Sequence, residues 1–297
     1  MPIKELAYSK DSSELFARLR GLPYAVYFDS CRHKQGMGRF DIISADPIST
    51  ITSYPKMALV KRRQKFTLSS KTPFALTKEL LADLPSAIIH NKELPFTIGA
   101  IGYLSYDVGR QLETLPNETI HDVALPCAII GIYDWSIIVD HKLEKTWIIS
   151  VHADNTPRMR KLKQALKQAS SSENNFILQS AFKSNISFSE YQTSFHQLKQ
   201  HILQGDCYQA NLCQRFSAQY TGDPWAAYCQ LRQQNPAPYA GYLDLPHGAI
   251  LSLSPERFLQ VQQNKVVTKP IKGTSPRFQD PDKDKHSAQQ LLNSEKD

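Results

Sequence analysis

The sequence predicts an α+β fold, and three observations carry that reading. Short runs of β-branched and aromatic residues recur along the whole chain. Helical spacing appears between them at a few places, and strand and helix signals never alternate as βαβ units do. Hydrophobic residues make up 41% and charged residues 21% of 297 positions, enough to bury a large core as one domain or two.

The elements follow in order. Ala25 to Asp29 is a short apolar run, and Phe40 to Ser44 and Lys56 to Val60 have strand character. Phe74 to Leu84 carries apolar residues at helical spacing. Thr97 to Tyr106 is apolar, aromatic and punctuated by glycine, which suits a strand packed closely on its neighbour's backbone. Val123 to Val139 is the most apolar run, but Pro126, Asp134 and Trp135 interrupt it; it is too short to span a bilayer and reads as a pair of buried strands. Cys127 to Asp140 followed by Lys145 to Val151 reads as a hairpin around a charged turn. Arg158 to Ala169 is a basic amphipathic helix that runs into the polar stretch Ser170 to Asn175. The expected organisation is an N-terminal lobe over 1–170, a linker over 171–186 and a second lobe over 187–297.

The second lobe opens on a well-marked helix. Ser187 and Glu190 have capping-box spacing, and Gly205 supplies a stop. Tyr191, Phe195, Leu198 and Ile202 form a stripe expected to face a core. Asp206 to Phe216 is expected as a strand carrying polar side chains toward a cavity. A further helix has Asp223 as N-cap and Pro224 at its first position, and ends before Pro236. Short strands follow at Tyr239 to Leu243, Ala249 to Leu253, Arg257 to Val261 and Val266 to Thr268. Phe278 to Asp297 is charged and turns helical from about Ser287.

Charge and composition narrow the chemistry. The net charge is +7, with basic clusters at Lys61-Arg62-Arg63 and over Arg158 to Lys167. Solvated surface accounts for them, and attraction of a small anion is the functional alternative. No basic helix is interleaved with aromatics, which argues against nucleic acid. Five scattered cysteines form no C-x-x-C, so reduced thiols in a cytosolic protein are expected rather than a zinc site or a disulfide framework. The N-terminus has no apolar signal region. Nine histidines show no ligand spacing, and no G-x-G-x-x-G appears.

The most informative stretch is Thr268-Lys269-Pro270-Ile271-Lys272-Gly273-Thr274. It sets Lys272 on the rim of an apolar strand just before a glycine turn. A partly desolvated amine has its lone pair free for nucleophilic attack. Glu256 lies upstream in Leu253-Ser254-Pro255-Glu256-Arg257-Phe258, and the segment between reads as a β-hairpin that brings the two together. On the residues alone, an ordinary surface lysine, and a Glu256 that is solvated or paired with Arg257, are the favoured readings.

These motifs, with Gly205-Asp206-Cys207-Tyr208-Gln209-Ala210-Asn211-Leu212, Asn235-Pro236-Ala237-Pro238-Tyr239, Gly102-Tyr103-Leu104-Ser105-Tyr106-Asp107 and Arg39-Phe40-Asp41, occur in the order found in the chorismate-utilising enzymes. The chain resembles that family over nearly its whole length. The resemblance implies a β-sandwich-like, two-lobed core of mostly antiparallel strands with helices packed outside. It implies an enzyme acting on chorismate. The branch with a lysine at the position of Lys272 joins chorismate and ammonia to give 4-amino-4-deoxychorismate, on the route to folate, with a glutaminase subunit as ammonia source. The anthranilate-forming branch typically has alanine there.

By the same resemblance Lys272 is the nucleophile, Glu256 the general acid and base, and Gly273 and Thr274 contact the substrate. A magnesium ion is implied as cofactor, with carboxylate ligands in a family segment that follows a helix such as Ser287 to Asp297; this chain is expected to lack that segment, so the metal ligands are unknown. A fragment that binds tryptophan or the glutaminase without turnover is the alternative of another class. Members of the family also hold L-tryptophan away from the active site, as a feedback inhibitor in some branches and a structural ligand in others. The matching positions are Ser30, Met37, Gly38, Arg39, Phe40, Pro238, Tyr239 and Ala240. Phe40, Pro238 and Tyr239 could form a slot for an indole, or these residues could simply pack the lobes together.

Overall fold

A computed structural model describes residues 3–31, 38–85, 93–116, 123–168 and 175–294. The first ten strands are β1 Ile3–Leu6, β2 Val26–Asp29, β3 Phe40–Ser44, β4 Ser49–Ser53, β5 Ala58–Arg62, β6 Lys65–Ser69, β7 Gly99–Leu104, β8 Ala128–Tyr133, β9 Trp135–Asp140 and β10 Lys145–Ser150. Helices α1 Ser13–Leu19, α2 Pro73–Ala82 and α3 Pro157–Lys167 are set among them. Then come β11 Phe176–Leu178, β12 Lys183–Ser184, α4 Phe188–Gln204, β13 Phe216–Ser217, β14 Tyr220–Gly222 and α5 Pro224–Gln234. The chain continues through β15 Tyr239–Leu245, β16 Gly248–Ser254, β17 Arg257–Gln262, β18 Lys265–Lys269 and α6 Pro281–Leu292.

The described residues of Met1–Ser170 and Leu231–Asp297 form one compact unit. It holds a seven-stranded sheet, ordered β1-β10-β9-β3-β2-β15-β16, and a five-stranded sheet, ordered β6-β5-β4-β8-β7. All their pairings are antiparallel. The expected sandwich is present. Val26, Leu243 and Leu245 of one sheet pack on Ile101, Ile129 and Tyr133 of the other. The outer face of the five-stranded sheet receives α2, through Leu76 and Leu80, and Leu84 just after it, against Ile51, Val60, Ile130 and Ile132. The strand alternation of β8 explains both contacts: Ile129 and Tyr133 point one way, Ile130 and Ile132 the other. On the outer face of the seven-stranded sheet α1 seats Phe16, fully buried, on Tyr27 with ring centroids 5.3 Å apart and on Tyr242 at 5.7 Å. Burying one such ring stabilises the unit by about 1.5–3 kcal/mol.

Local sequence explains most boundaries. Thr72 and Thr156 cap α2 and α3, each followed by proline at the first helical position. Gly102 is the close approach that the glycine-punctuated run suggested, since a Cβ there would strike the backbone of Ile129. The expected pair of buried strands across Val123–Val139 is found as β8 and β9, but they join different sheets, and the chain crosses between them at Asp134. Asp134 is buried, bonded to His152 at 2.6 Å and to Arg158 at 2.9 Å. Arg158 therefore fastens α3 to the sandwich; it is not solvated surface like its basic neighbours. The hairpin β9–β10 forms as expected. The last helix starts at Pro281, earlier than Ser287, because Asp280 accepts the backbone N–H groups of Asp282 and Lys283.

The second unit, Ser171–Gln230, contains α4 and the short pairs β11–β14 and β12–β13. Helix α4 has the expected capping box, with Ser187 and Glu190 bonding each other's backbone, and its stop at Gly205, φ 84°. Its stripe does not face a core among the described residues: no residue of α4 is buried, and Phe195 and Ile202 are 46% and 41% exposed. Asp206 to Arg215 is not a strand; pairing begins only at Phe216. The segment lacks the β-branched residues that a ladder selects.

Candidate functional site

Strands β17 and β18 form the hairpin that the sequence placed between Glu256 and Lys272. Its turn residues Gln263 and Asn264 have φ 51° and 62°, a two-residue turn that matches strand twist. Arg257 pairs with Lys269, and an irregularity before Gln260 shifts the register. The hairpin base is thereby closed. The backbone N–H of Ile271 donates to Glu256 Oε1 at 2.7 Å, and Glu256 is itself held by Ser254, whose hydroxyl accepts its N–H at 3.2 Å. Glu256, Lys272 and Thr274 are exposed and Gly273 is half-buried. Burial by the described residues thus does not desolvate Lys272. Just beyond, Ser287 of α6 donates to the carbonyl of Pro276 at 2.7 Å and meets the Ser275 hydroxyl, which ties the helix to the segment after Lys272.

The positions proposed for an indole ligand also converge. Phe40 opens β3, Ser30 follows β2, and Tyr239 and Ala240 open β15, and these three strands are neighbours. Antiparallel pairing puts all of them at the same end. Ser30 is buried, and Asp41 accepts its N–H at 2.8 Å and its hydroxyl at 2.7 Å. Arg39 grips Asp140 at 2.7 Å and lies over the Phe40 ring, 4.4 Å from the centroid. Arg257 lies over Tyr239 at 5.1 Å. Gly38 and Pro238 are half-buried and Ala240 is buried. Met37 lies outside the described residues.

A third constellation was missed from sequence. A cleft of about 660 Å³ opens beside α1, lined by Tyr8, Asp11, Asp29, Asp41, His141 and Arg232 among others. Burial pushes the Asp41 carboxyl up, but the hydrogen bond and charge of His141, with Ser12 and Ser30, outweigh it and hold Asp41 below its ordinary value. Arg232 bonds Asp29 at 2.6 Å and Asp11 at 3.2 Å. Burial alone would lower the Arg232 guanidinium; the bond to Asp29 raises it instead. The Cys31 thiol is pushed up to about 11, by burial first and then by Asp29. The available signal was a carboxylate inside an apolar strand, as in Phe40-Asp41-Ile42-Ile43 and Val26-Tyr27-Phe28-Asp29.

Among the described residues no group of three or more His, Cys, Asp and Glu could hold a metal ion. The cysteines are all free, and no described helix is long and apolar enough to cross a membrane.

Aminodeoxychorismate synthase component 1 of Escherichia coli is 41% identical over 293 residues, covering 98% of this chain and 64% of the relative. Anthranilate synthase component 1 of Lactococcus lactis is 30% identical, covering 93% of this chain and 62% of the relative. The crystal structure of anthranilate synthase component I from Streptococcus pneumoniae superposes with a TM-score of 0.69 at 26% identity, over 87% of this chain and 58% of that one. The chain therefore spans a little under two thirds of the length of the relatives it matches. A family model described as chorismate binding enzyme matches residues 23–297, and the chain belongs to that family.

Proposed function

We propose that this chain carries the amination chemistry of an aminodeoxychorismate synthase component I, converting chorismate and ammonia to 4-amino-4-deoxychorismate. The bond from Ile271 N–H to Glu256 Oε1 at 2.7 Å is the observation that carries the reading. It sets a carboxyl group beside the residue that precedes the amine of Lys272. The Lys272 Nζ attacks ring carbon C2, and the C4 hydroxyl leaves as water with a proton from Glu256. Ammonia then adds at C4, the C2–N bond breaks, and Lys272 is released. Two steps with a good leaving route replace one displacement of hydroxide. Gly273 and Thr274 contact the substrate carboxylate.

Two participants lie outside the described residues. A glutaminase subunit supplies ammonia; the word "component" in the relative's name supports this. Magnesium would screen the substrate carboxylates if it were bound. Its ligands are unknown here. L-tryptophan is the proposed occupant of the slot at Ser30, Phe40 and Tyr239, with Arg39, Gly38, Pro238 and Ala240 around it.

The runner-up is anthranilate formation, favoured by the Lactococcus lactis relative; Lys272 favours amination. The test is Lys272→Ala with chorismate, an ammonium salt and Mg²⁺. The variant should bind chorismate and form no 4-amino-4-deoxychorismate. Full synthase activity in the variant, or a fluorescent anthranilate product from the parent, would sink the reading.

A further inference from the structure

Asp41 joins two regions that nothing in the sequence connects. Its Oδ1 takes both donors of Ser30, and its Oδ2 takes the Ser12 hydroxyl and faces His141 Nε2 at 2.6 Å. The other ring nitrogen of His141, Nδ1, lies 2.9 Å from the Tyr8 hydroxyl. The side chains of His141 and Asp41 are only 4% and 2% exposed, yet both border the cleft beside α1.

We infer that Asp41 is the positioning residue of the candidate amino-acid slot, and that His141 and Tyr8 make its hold on Ser30 depend on a proton. The inference rests on the reading of Ser30 as a slot residue. In neutral His141, Nε2 donates to Asp41 and Nδ1 accepts from the Tyr8 hydroxyl. A second proton at Nδ1 turns the Tyr8 oxygen into an acceptor, and no heavy atom has to move. The His141–Asp41 bond then becomes an ion pair that draws carboxylate charge toward Oδ2. Less charge is left on Oδ1, so both Ser30 bonds weaken.

The other charges that line the cleft offset one another. From α5, Arg232 is matched by Asp29 of β2 and by Asp11. From the segment around α1, Lys10 and Arg18 stand with Glu14 along the cleft, and the Cys31 thiol stays protonated because burial pushes it to about 11. Tyr27 touches Ser12 at 2.8 Å and is held neutral by burial. Imidazoles in general change charge between about pH 5 and 8, so the test spans that range.

The test is a pH series by NMR on the full chain, following the Ser30 amide and the His141 ring carbons. Both should move with one midpoint. In His141→Gln, which keeps a donor for Asp41, the Ser30 profile should flatten; in Tyr8→Phe both midpoints should shift together. A Ser30 amide that stays still while His141 titrates would overturn the coupling. Calorimetry with L-tryptophan at both ends of the range separates the two readings. Affinity should fall about fivefold or more at the acid end, a usual size for coupled sites, and should lose its pH dependence in His141→Gln. Tryptophan binding with no pH dependence removes the proton link and leaves the slot. No tryptophan heat at any pH removes the slot and Asp41's positioning role with it, whatever the Ser30 amide does.

Discussion

Glu256 Oε1 accepts the backbone N–H of Ile271 at 2.7 Å, across the closed base of the β17–β18 hairpin. The next residue is Lys272. One carboxylate oxygen is committed to holding the chain; under the proposed mechanism the other carries the transferable proton.

That division of labour makes Glu256→Gln informative. Glutamine keeps a carbonyl oxygen for the Ile271 N–H but loses the transferable proton. Melting temperature should be unchanged and turnover at saturating chorismate should fall about 100-fold or more, the usual weight of a general acid. Unchanged turnover would remove Glu256 from the catalytic step.

Asp29 and Arg232 form a buried pair whose carboxylate is fully covered and whose guanidinium is 15% exposed. Arg232→Leu leaves the buried carboxylate its Cys31 N–H but removes its counter-charge, and should cost about 3–5 kcal/mol in denaturant unfolding, most of it recovered in Asp29→Leu/Arg232→Leu. A double variant as unstable as the single one would show that packing around Arg232, not its charge, holds α5.

Asp41 links stability to acid pH. Its carboxyl is held below the ordinary value in the fold. The stabilisation is therefore complete above the unfolded pKa, about 3.9, and is lost as pH falls through the lower folded value. Asp41→Asn should be destabilised at neutral pH, and the gap from the parent should close below about pH 4. A gap that stays constant with pH would contradict the assigned charge state.

Helix α4 offers the opposite case. Phe195 is 46% exposed, so Phe195→Asp should change unfolding free energy by less than about 0.5 kcal/mol. A loss of several times that would show that its stripe is covered in solution.

The contrast between α4 and β17–β18 shows what was legible. Caps, proline starts and two-residue turns act over a few positions, so the ends of α4 and the hairpin around Asn264 could be read directly. The burial of α4's stripe depends on what lies over it, which a periodic pattern does not contain. Strand β4 escaped notice because Thr50 and Thr52, buried in the sheet, read as polar. The His141–Asp41 pair spans 100 positions, and no local rule joins them. Glu256 and Lys272 were legible for the reverse reason: one hairpin connects them.

The central claim is that Lys272 becomes covalently attached to the substrate ring. Intact mass spectrometry of the chain with chorismate and Mg²⁺, without ammonia, tests it most directly. A single adduct should appear, equal to chorismate less one water, mapped to Lys272, cleared by ammonium and absent in Lys272→Ala. Formation of 4-amino-4-deoxychorismate with no adduct at Lys272 would contradict the account.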